Sequence, residues 1–193
     1  TFYTMHLKEI DRTAEITVCI PENASRDKRF PVLYMHDGQN IVDPKRSYSG
    51  STWEVKESLE TLDNMPEIIV VGISSASDSR RLDEYNPFVF EFEAERLKHE
   101  SGKTPGGLGE AYMQDVIHSV KPFVDGNFPS DTASGNTAMM GSSLGGLISL
   151  YAGIAHGDVF TRIASLSGAF FVSIKSLNAL IERSDLSKLK KVY

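Results

Sequence analysis

The segment Gly141-Ser142-Ser143-Leu144-Gly145 has the form G-x-S-x-G. Between a strand and a helix, this pattern puts the central serine on a sharp, strained turn, which only small flanking residues allow. A hydroxyl held at a helix N-terminus has free backbone N–H groups and the positive end of the helix dipole beside it, and these favour an oxyanion. The chemistry is acyl transfer, with Ser143 as the nucleophile. The competing reading is a structural glycine-rich turn, since Ser and Gly produce the bare pattern in roughly one chain in ten. Ser142 offers a second hydroxyl, at the position that the turn directs away from the cleft.

Oxyanion stabilisation needs a second N–H from another loop. Met35-His36-Asp37-Gly38-Gln39-Asn40 follows an apolar run, and Gly38 lets the backbone turn inward there. The expected donors are the N–H of Gln39 and that of Leu144. A polar turn or a metal site built from His36, Asp37 and Asp43 are the alternatives. Neither holds a complete ligand set, and the expectation is no metal and no cofactor. Trp53, Tyr85 and the aromatics of residues 88–92 are candidates to line a substrate pocket or to pack in the core, with Trp53 and Tyr85 preferred for the pocket. Arg80 and Arg81 could meet a carboxylate or simply face solvent.

A serine without a base is a weak nucleophile at neutral pH. Of the five histidines, His156 ends the helix that starts at Ser143, and a rise of about 1.5 Å per residue carries it more than ~15 Å away. His36 lies where the oxyanion loop begins and has no evident acid partner. His6, His99 and His118 read as loop or helix-surface residues.

The elements that would hold these groups are legible from periodicity. Residues 15–20 alternate, with Ile16, Val18 and Ile20 on one side and Glu15, Thr17 and Cys19 on the other, as in a half-buried strand. Pro21 and Asn23 then turn the chain, and a charged loop with Arg26 and Asp27 follows. Residues 31–35 and 68–73 are apolar throughout, as in strands covered on both faces. Ser51-Thr52-Trp53-Glu54 has the capping-box form and opens a helix carrying Val55, Leu59 and Leu62. A helix over residues 108–124 presents Met113, Val116, Ile117, Val120, Phe123 and Val124 as one stripe, with Glu110, Gln114, Asp115 and Lys121 elsewhere. Pro122 in its last turn tightens or kinks it. Strand 137–141, helix 144–155 and strand 163–166 form a right-handed parallel crossover. A helix over 174–183 follows, and residues 190–193 start another strand. Residues 74–109 read as one long irregular loop, functional or mobile.

With 193 residues, 40% hydrophobic and 24% charged, the composition is that of a single globular domain spanning residues 1–193. Twenty Lys+Arg against 26 Asp+Glu give a net charge of −6, the wrong sign for following nucleic-acid phosphates or anionic membranes. No apolar run approaches the roughly 20 residues that span a bilayer. The one cysteine, Cys19, excludes an internal disulfide framework and fits a reducing, cytoplasmic compartment. The N-terminal residues lack the basic and apolar regions of a signal peptide.

Four runs together, Leu33-Tyr34-Met35-His36-Asp37-Gly38-Gln39-Asn40, Ser47-Tyr48-Ser49-Gly50-Ser51-Thr52-Trp53, Arg81-Leu82-Asp83-Glu84-Tyr85-Asn86-Pro87 and Met140-Gly141-Ser142-Ser143-Leu144-Gly145-Gly146-Leu147, resemble the "Putative esterase" family. This is the esterase-D-like branch of the α/β-hydrolases, which includes ferulic acid and siderophore esterases. The similarity spans nearly the whole chain. It implies an α/β-hydrolase fold, a mostly parallel central sheet with helices on both faces, and a Ser-His-Asp/Glu hydrolase acting on a small-molecule carboxylic ester without a cofactor. In that fold the acid and histidine follow the nucleophile in the chain, whereas every histidine here except His156 precedes Ser143. The expectation is an N-terminal portion that stops near the strand whose end carries the acid, with Lys191-Val192-Tyr193 resembling its start. An acyltransferase on the same serine would differ by partitioning product to added alcohols. A non-catalytic binding protein of hydrolase fold would bind ligand without turnover.

Overall fold

In the computed structural model, residues 1–22, 24–25, 27–61, 65–77, 79–92 and 102–193 are described. Asn23, Arg26, Leu62 and His99, named above, lie outside them. Seven strands form one sheet: β1 Phe2–Leu7, β2 Arg12–Cys19, β3 Val32–His36, β4 Ile69–Ile73, β5 Thr137–Ser142, β6 Arg162–Leu166 and β7 Lys191–Val192. Their order is β1-β2-β4-β3-β5-β6-β7. β1 and β2 pair antiparallel, as do β2 and β4, and every pairing from β4 through to β7 is parallel.

All five residues of β4 are buried, which explains its unbroken apolar sequence: a strand inside a parallel sheet has two faces to cover. On one face Val32, Tyr34, Val71, Met139 and Ile163 pack with helical residues such as Met113, Val120, Leu147 and Ile148. On the other, Leu33, Met35, Val70 and Met140 meet Ile41, Val55 and Leu59. The helices are α1 Val55–Thr61, α2 Arg80–Glu84, α3 Gly109–Asp115, α4 Lys121–Asn127, α5 Leu144–Ala155 and α6 Ile174–Arg183. None of the described helices is long and apolar enough to cross a membrane.

Several expectations are corrected. Phe2–Leu7, which the sequence patterns did not single out, is a strand with Tyr3, Met5 and Leu7 on its more buried side. In β2, Ile20 falls beyond the strand end and is exposed, while Thr17 is buried; the face expected to meet solvent is partly covered, with Cys19 packed against the cluster of Met35, Ile41 and Val70. The capping box does not form. Glu54 adopts φ 52°, its N–H is held by Thr52 Oγ1 at 3.2 Å, and α1 begins only at Val55. A short helix, α2, interrupts the expected loop of residues 74–109.

The long helix exists but carries a π-helical turn, Val116–Val120, between α3 and α4. Pro122 lacks an N–H, and its ring would collide with the carbonyl of His118 in a regular α-helix. Widening the preceding turn relieves that collision without breaking the helix. Asp115, off the apolar stripe, is nevertheless buried. Its carboxylate accepts the N–H groups of Lys8, Glu9 and Ile10 at 2.8, 3.0 and 3.1 Å, tying the β1–β2 turn to α3.

Candidate active site

The serine turn forms where the pattern places it, between β5 and α5. Ser143 has φ 59° and ψ −120° and is exposed, whereas Leu144 to Ser149 behind it are buried. A non-glycine residue at positive φ persists only when its surroundings fix it. Here the Ser143 N–H donates to the Leu166 carbonyl at 3.0 Å. The Ser143 carbonyl accepts from Gly146, Leu147 and Ala169. The β6 end and the loop after it therefore clamp the turn from one side. Ser142 is the last residue of β5 and half-buried.

On the other side lies the end of β3. A Cβ added at Gly145 would meet His36 Cβ at 3.3 Å and Asp37 Oδ2 at 3.4 Å, so the start of α5 packs directly on this segment. The inward turn belongs to Asp37, at φ 55° and ψ 44°, rather than to Gly38. Gly38 is needed for a different reason: a Cβ there would stand 2.5 Å from the Ile73 nitrogen and 2.8 Å from the Gly72 Cα, so the 3-10 turn Gly38–Asn40 rests against the backbone of β4. Gln39 is half-buried, and its side-chain amide both donates to Ser75 Oγ at 2.9 Å and accepts the Ser75 N–H at 3.1 Å.

A buried polar cluster lies beneath this loop. Arg81 grips Asp37 with two hydrogen bonds, Nε to Oδ1 and a terminal nitrogen to Oδ2, each 2.8 Å. Burial works against the Arg81 cation, but its hydrogen bonds and charge contact with Asp37 prevail and raise its pKa. The Asp37 N–H donates to the Tyr85 hydroxyl at 3.0 Å, and His36 Nδ1 lies 2.9 Å from the Tyr112 hydroxyl. His36 is fully buried, and burial depresses its pKa to about 4. Its Nε2 has no hydrogen-bond partner among the described residues. Enclosed between Tyr85 and Tyr112 and with no hydrogen bond to Ser143, His36 is not placed to take the Ser143 proton.

The other described histidines are engaged elsewhere. His6 lies 3.7 Å from Asp11, His118 is exposed on the π-helical turn, and His156 Nε2 is 3.0 Å from Glu110 Oε2. Among the described residues, none hydrogen-bonds to Ser143 Oγ. The metal alternative does not assemble. Asp37 is taken up by Arg81, Asp43 binds Arg46 and the Lys45 N–H, and no group of three potential ligands occurs among the described residues.

Tyr85 requires a correction. It is completely buried, its ring 5.1 Å from His36 and 5.4 Å from Tyr112, so it supports the loop from within and does not line a pocket. Trp53 is 41% exposed, and its backbone N–H donates to the Asn40 carbonyl, which places it beside the Gly38–Asn40 turn. The paired arginines do meet carboxylates, but those of the protein itself. Arg80 Nε lies 3.5 Å from Glu84, a buried residue that also receives Arg12 Nε on both oxygens. Sequence reasoning missed this use of Arg81 and Tyr85. The signal was the spacing Arg81-x-x-x-Tyr85, one helical turn, which puts Tyr85, just past the end of α2, on the side of Arg81.

A family model described as "Putative esterase" matches residues 8–191. The uncharacterized protein YbbA of Bacillus subtilis is 29% identical over 156 residues, covering 80% of this chain and 56% of that protein. Among solved structures, an IroE-like serine hydrolase from Shewanella oneidensis superposes with a TM-score of 0.74 at 19% identity, covering 94% of this chain and 54% of the other. The enterobactin esterase FES of Shigella flexneri gives 0.73 at 17% identity, over 99% and 44% of the two chains. The siderophore hydrolase EstA of Aspergillus nidulans gives 0.70 at 20% identity, over 95% and 61%. These likenesses establish the α/β-hydrolase fold. The chain spans about half the length of these relatives.

Proposed function

We propose, from the premise that this chain belongs to the "Putative esterase" family, that Ser143 is the nucleophile of a serine esterase acting on a small-molecule carboxylic ester. The observation that carries the reading is the Ser143 backbone: an exposed serine at φ 59°, at the junction of β5 and a buried helix. In this reading Ser143 Oγ attacks the ester carbonyl, the alcohol leaves, and water releases the acyl group from the serine. The tetrahedral oxyanion lies between the N–H of Leu144, at the start of α5, and that of Gln39. Packing of Gly145 against His36 and Asp37 brings the two donor segments together. The base and acid that activate Ser143 are assigned to the part of the full-length relatives that this chain does not span, because each described histidine is buried, exposed or engaged elsewhere.

The test is hydrolysis of p-nitrophenyl acetate by the full natural chain and by its Ser143→Ala variant. The expected result is turnover that falls at least about a thousandfold in the variant. Equal turnover by the two, or ligand binding without any turnover, would overturn the reading. Product shifted to added alcohols would assign the same serine to an acyltransferase.

A further inference from the structure

We propose that Arg81 and Tyr85 are positioning residues for the oxyanion hole, holding Asp37 in the left-handed conformation that aims the Gln39 N–H at the reacting carbonyl. This rests on the reading of Ser143 as nucleophile. Asp37 carries a β-carbon yet sits at φ 55°, a conformation disfavoured for residues with a side chain and kept where the surroundings impose it. Those surroundings are specific. The planar fork of Arg81 takes both carboxylate oxygens of Asp37 at 2.8 Å, while the Tyr85 hydroxyl accepts the Asp37 N–H at 3.0 Å. The Arg81 guanidinium in turn stacks over the Tyr85 ring, 4.9 Å from its centre. Side chain and main chain of Asp37 are thus both held from α2.

Two residues on, the Gln39 side chain is held by Ser75 through two hydrogen bonds. The segment between β4 and the end of α2 therefore fixes the loop at both ends of the Asp37-Gly38-Gln39 run. If Asp37 relaxed to an ordinary conformation, the following peptide planes would rotate and carry the Gln39 N–H with them. Bidentate geometry matters here: a lysine supplies the charge as a point and cannot hold both oxygens in one plane. Arg81 commits its Nε and one terminal nitrogen to Asp37. Neither residue touches the reacting atoms, so the effect passes through the loop.

The experiment measures kcat and KM for p-nitrophenyl acetate and for its thiono analogue, per serine titrated with a fluorophosphonate, in the full natural chain. The Arg81→Gln variant should lose ten- to a hundredfold in kcat, somewhat less than deletion of an oxyanion donor, with KM within about twofold. Arg81→Lys should recover only part of that loss, and Tyr85→Phe should lose about three- to tenfold. In each variant the preference for the oxygen ester over the thiono ester should shrink, because sulfur is a poor hydrogen-bond acceptor and gains little from the aligned donors. Unchanged kcat per titrated serine and unchanged oxo-to-thiono preference, with only a lower Tm, would reduce both residues to structural supports and overturn the proposal. Absence of turnover in the wild type, or its survival in Ser143→Ala, would remove the nucleophile reading and this role with it.

Discussion

Gly141 and Gly145 meet back to back: a methyl group on Gly141 would lie 2.5 Å from both the carbonyl carbon and the carbonyl oxygen of Gly145. The strand and the helix that frame Ser143 are in direct backbone contact at that point. Gly141→Ala should force them apart, costing about 1–3 kcal/mol in overpacking and lowering Tm by roughly 5 °C. Differential scanning calorimetry checks the stability loss. An unshifted Tm would mean the turn has slack and that Ser143 is not rigidly held.

Asp115 offers a stability test far from the serine. It accepts three N–H groups from the β1–β2 turn and is buried. Asp115→Ala leaves those donors without their acceptor, a loss of about 3 kcal/mol. The opening should be local. Hydrogen exchange should accelerate at Lys8, Glu9 and Ile10 well before the amides of β4 respond. Uniform acceleration across the sheet would contradict a local clamp.

His36 sets a pH dependence whose sign follows from its burial. Its folded pKa is pushed down to about 4 from an ordinary 6.5, mainly by burial and secondarily by Arg81, with Asp37 opposing. Between those values the unfolded chain takes up a proton that the folded chain refuses, so stability falls as pH drops from about 6.5 to 4. The full loss is about 3 kcal/mol. Urea unfolding of the wild type and of His36→Gln should differ in slope by close to one proton, about 1.4 kcal/mol per pH unit, inside that window. Parallel slopes would show that His36 does not titrate on unfolding.

Trp53 is tied to the Gly38–Asn40 turn by its backbone N–H to the Asn40 carbonyl and leaves 41% of its surface exposed. Trp53→Ala should change stability by no more than about 0.5 kcal/mol while raising KM for aryl esters in the full natural chain. Unchanged KM across an ester series would remove Trp53 from the substrate side of the cleft.

Sequence patterns revealed the parts of this molecule that depend on neighbours in the chain. The turn at Ser143 is local: five residues, a strand before and a helix after, so spacing alone locates it. The uniform apolarity of Ile69–Ile73 likewise announces an interior strand. Tyr85 was misjudged because nothing local tells an aromatic beside a cleft from one beneath it; its burial comes from His36 and Tyr112, distant in the chain. Periodicity set Asp115 off the apolar stripe but gave no sign of its burial, because the N–H groups it accepts lie over a hundred residues away. Asp37, not Gly38, makes the turn, since tertiary contacts with Arg81 and Tyr85 override the conformational preference that favours glycine at positive φ. The capping box failed for a similar reason: Asn40 accepts from Trp53 and draws the chain away before a helix can start at residue 52.

The central claim is that Ser143 is an activated nucleophile, and labelling of the full natural chain with a fluorophosphonate tests it most directly. Intact-mass analysis followed by peptide mapping should find a single adduct on the peptide containing Ser143, absent from Ser143→Ala. No adduct on the folded protein, or an adduct that persists in Ser143→Ala, would contradict the account.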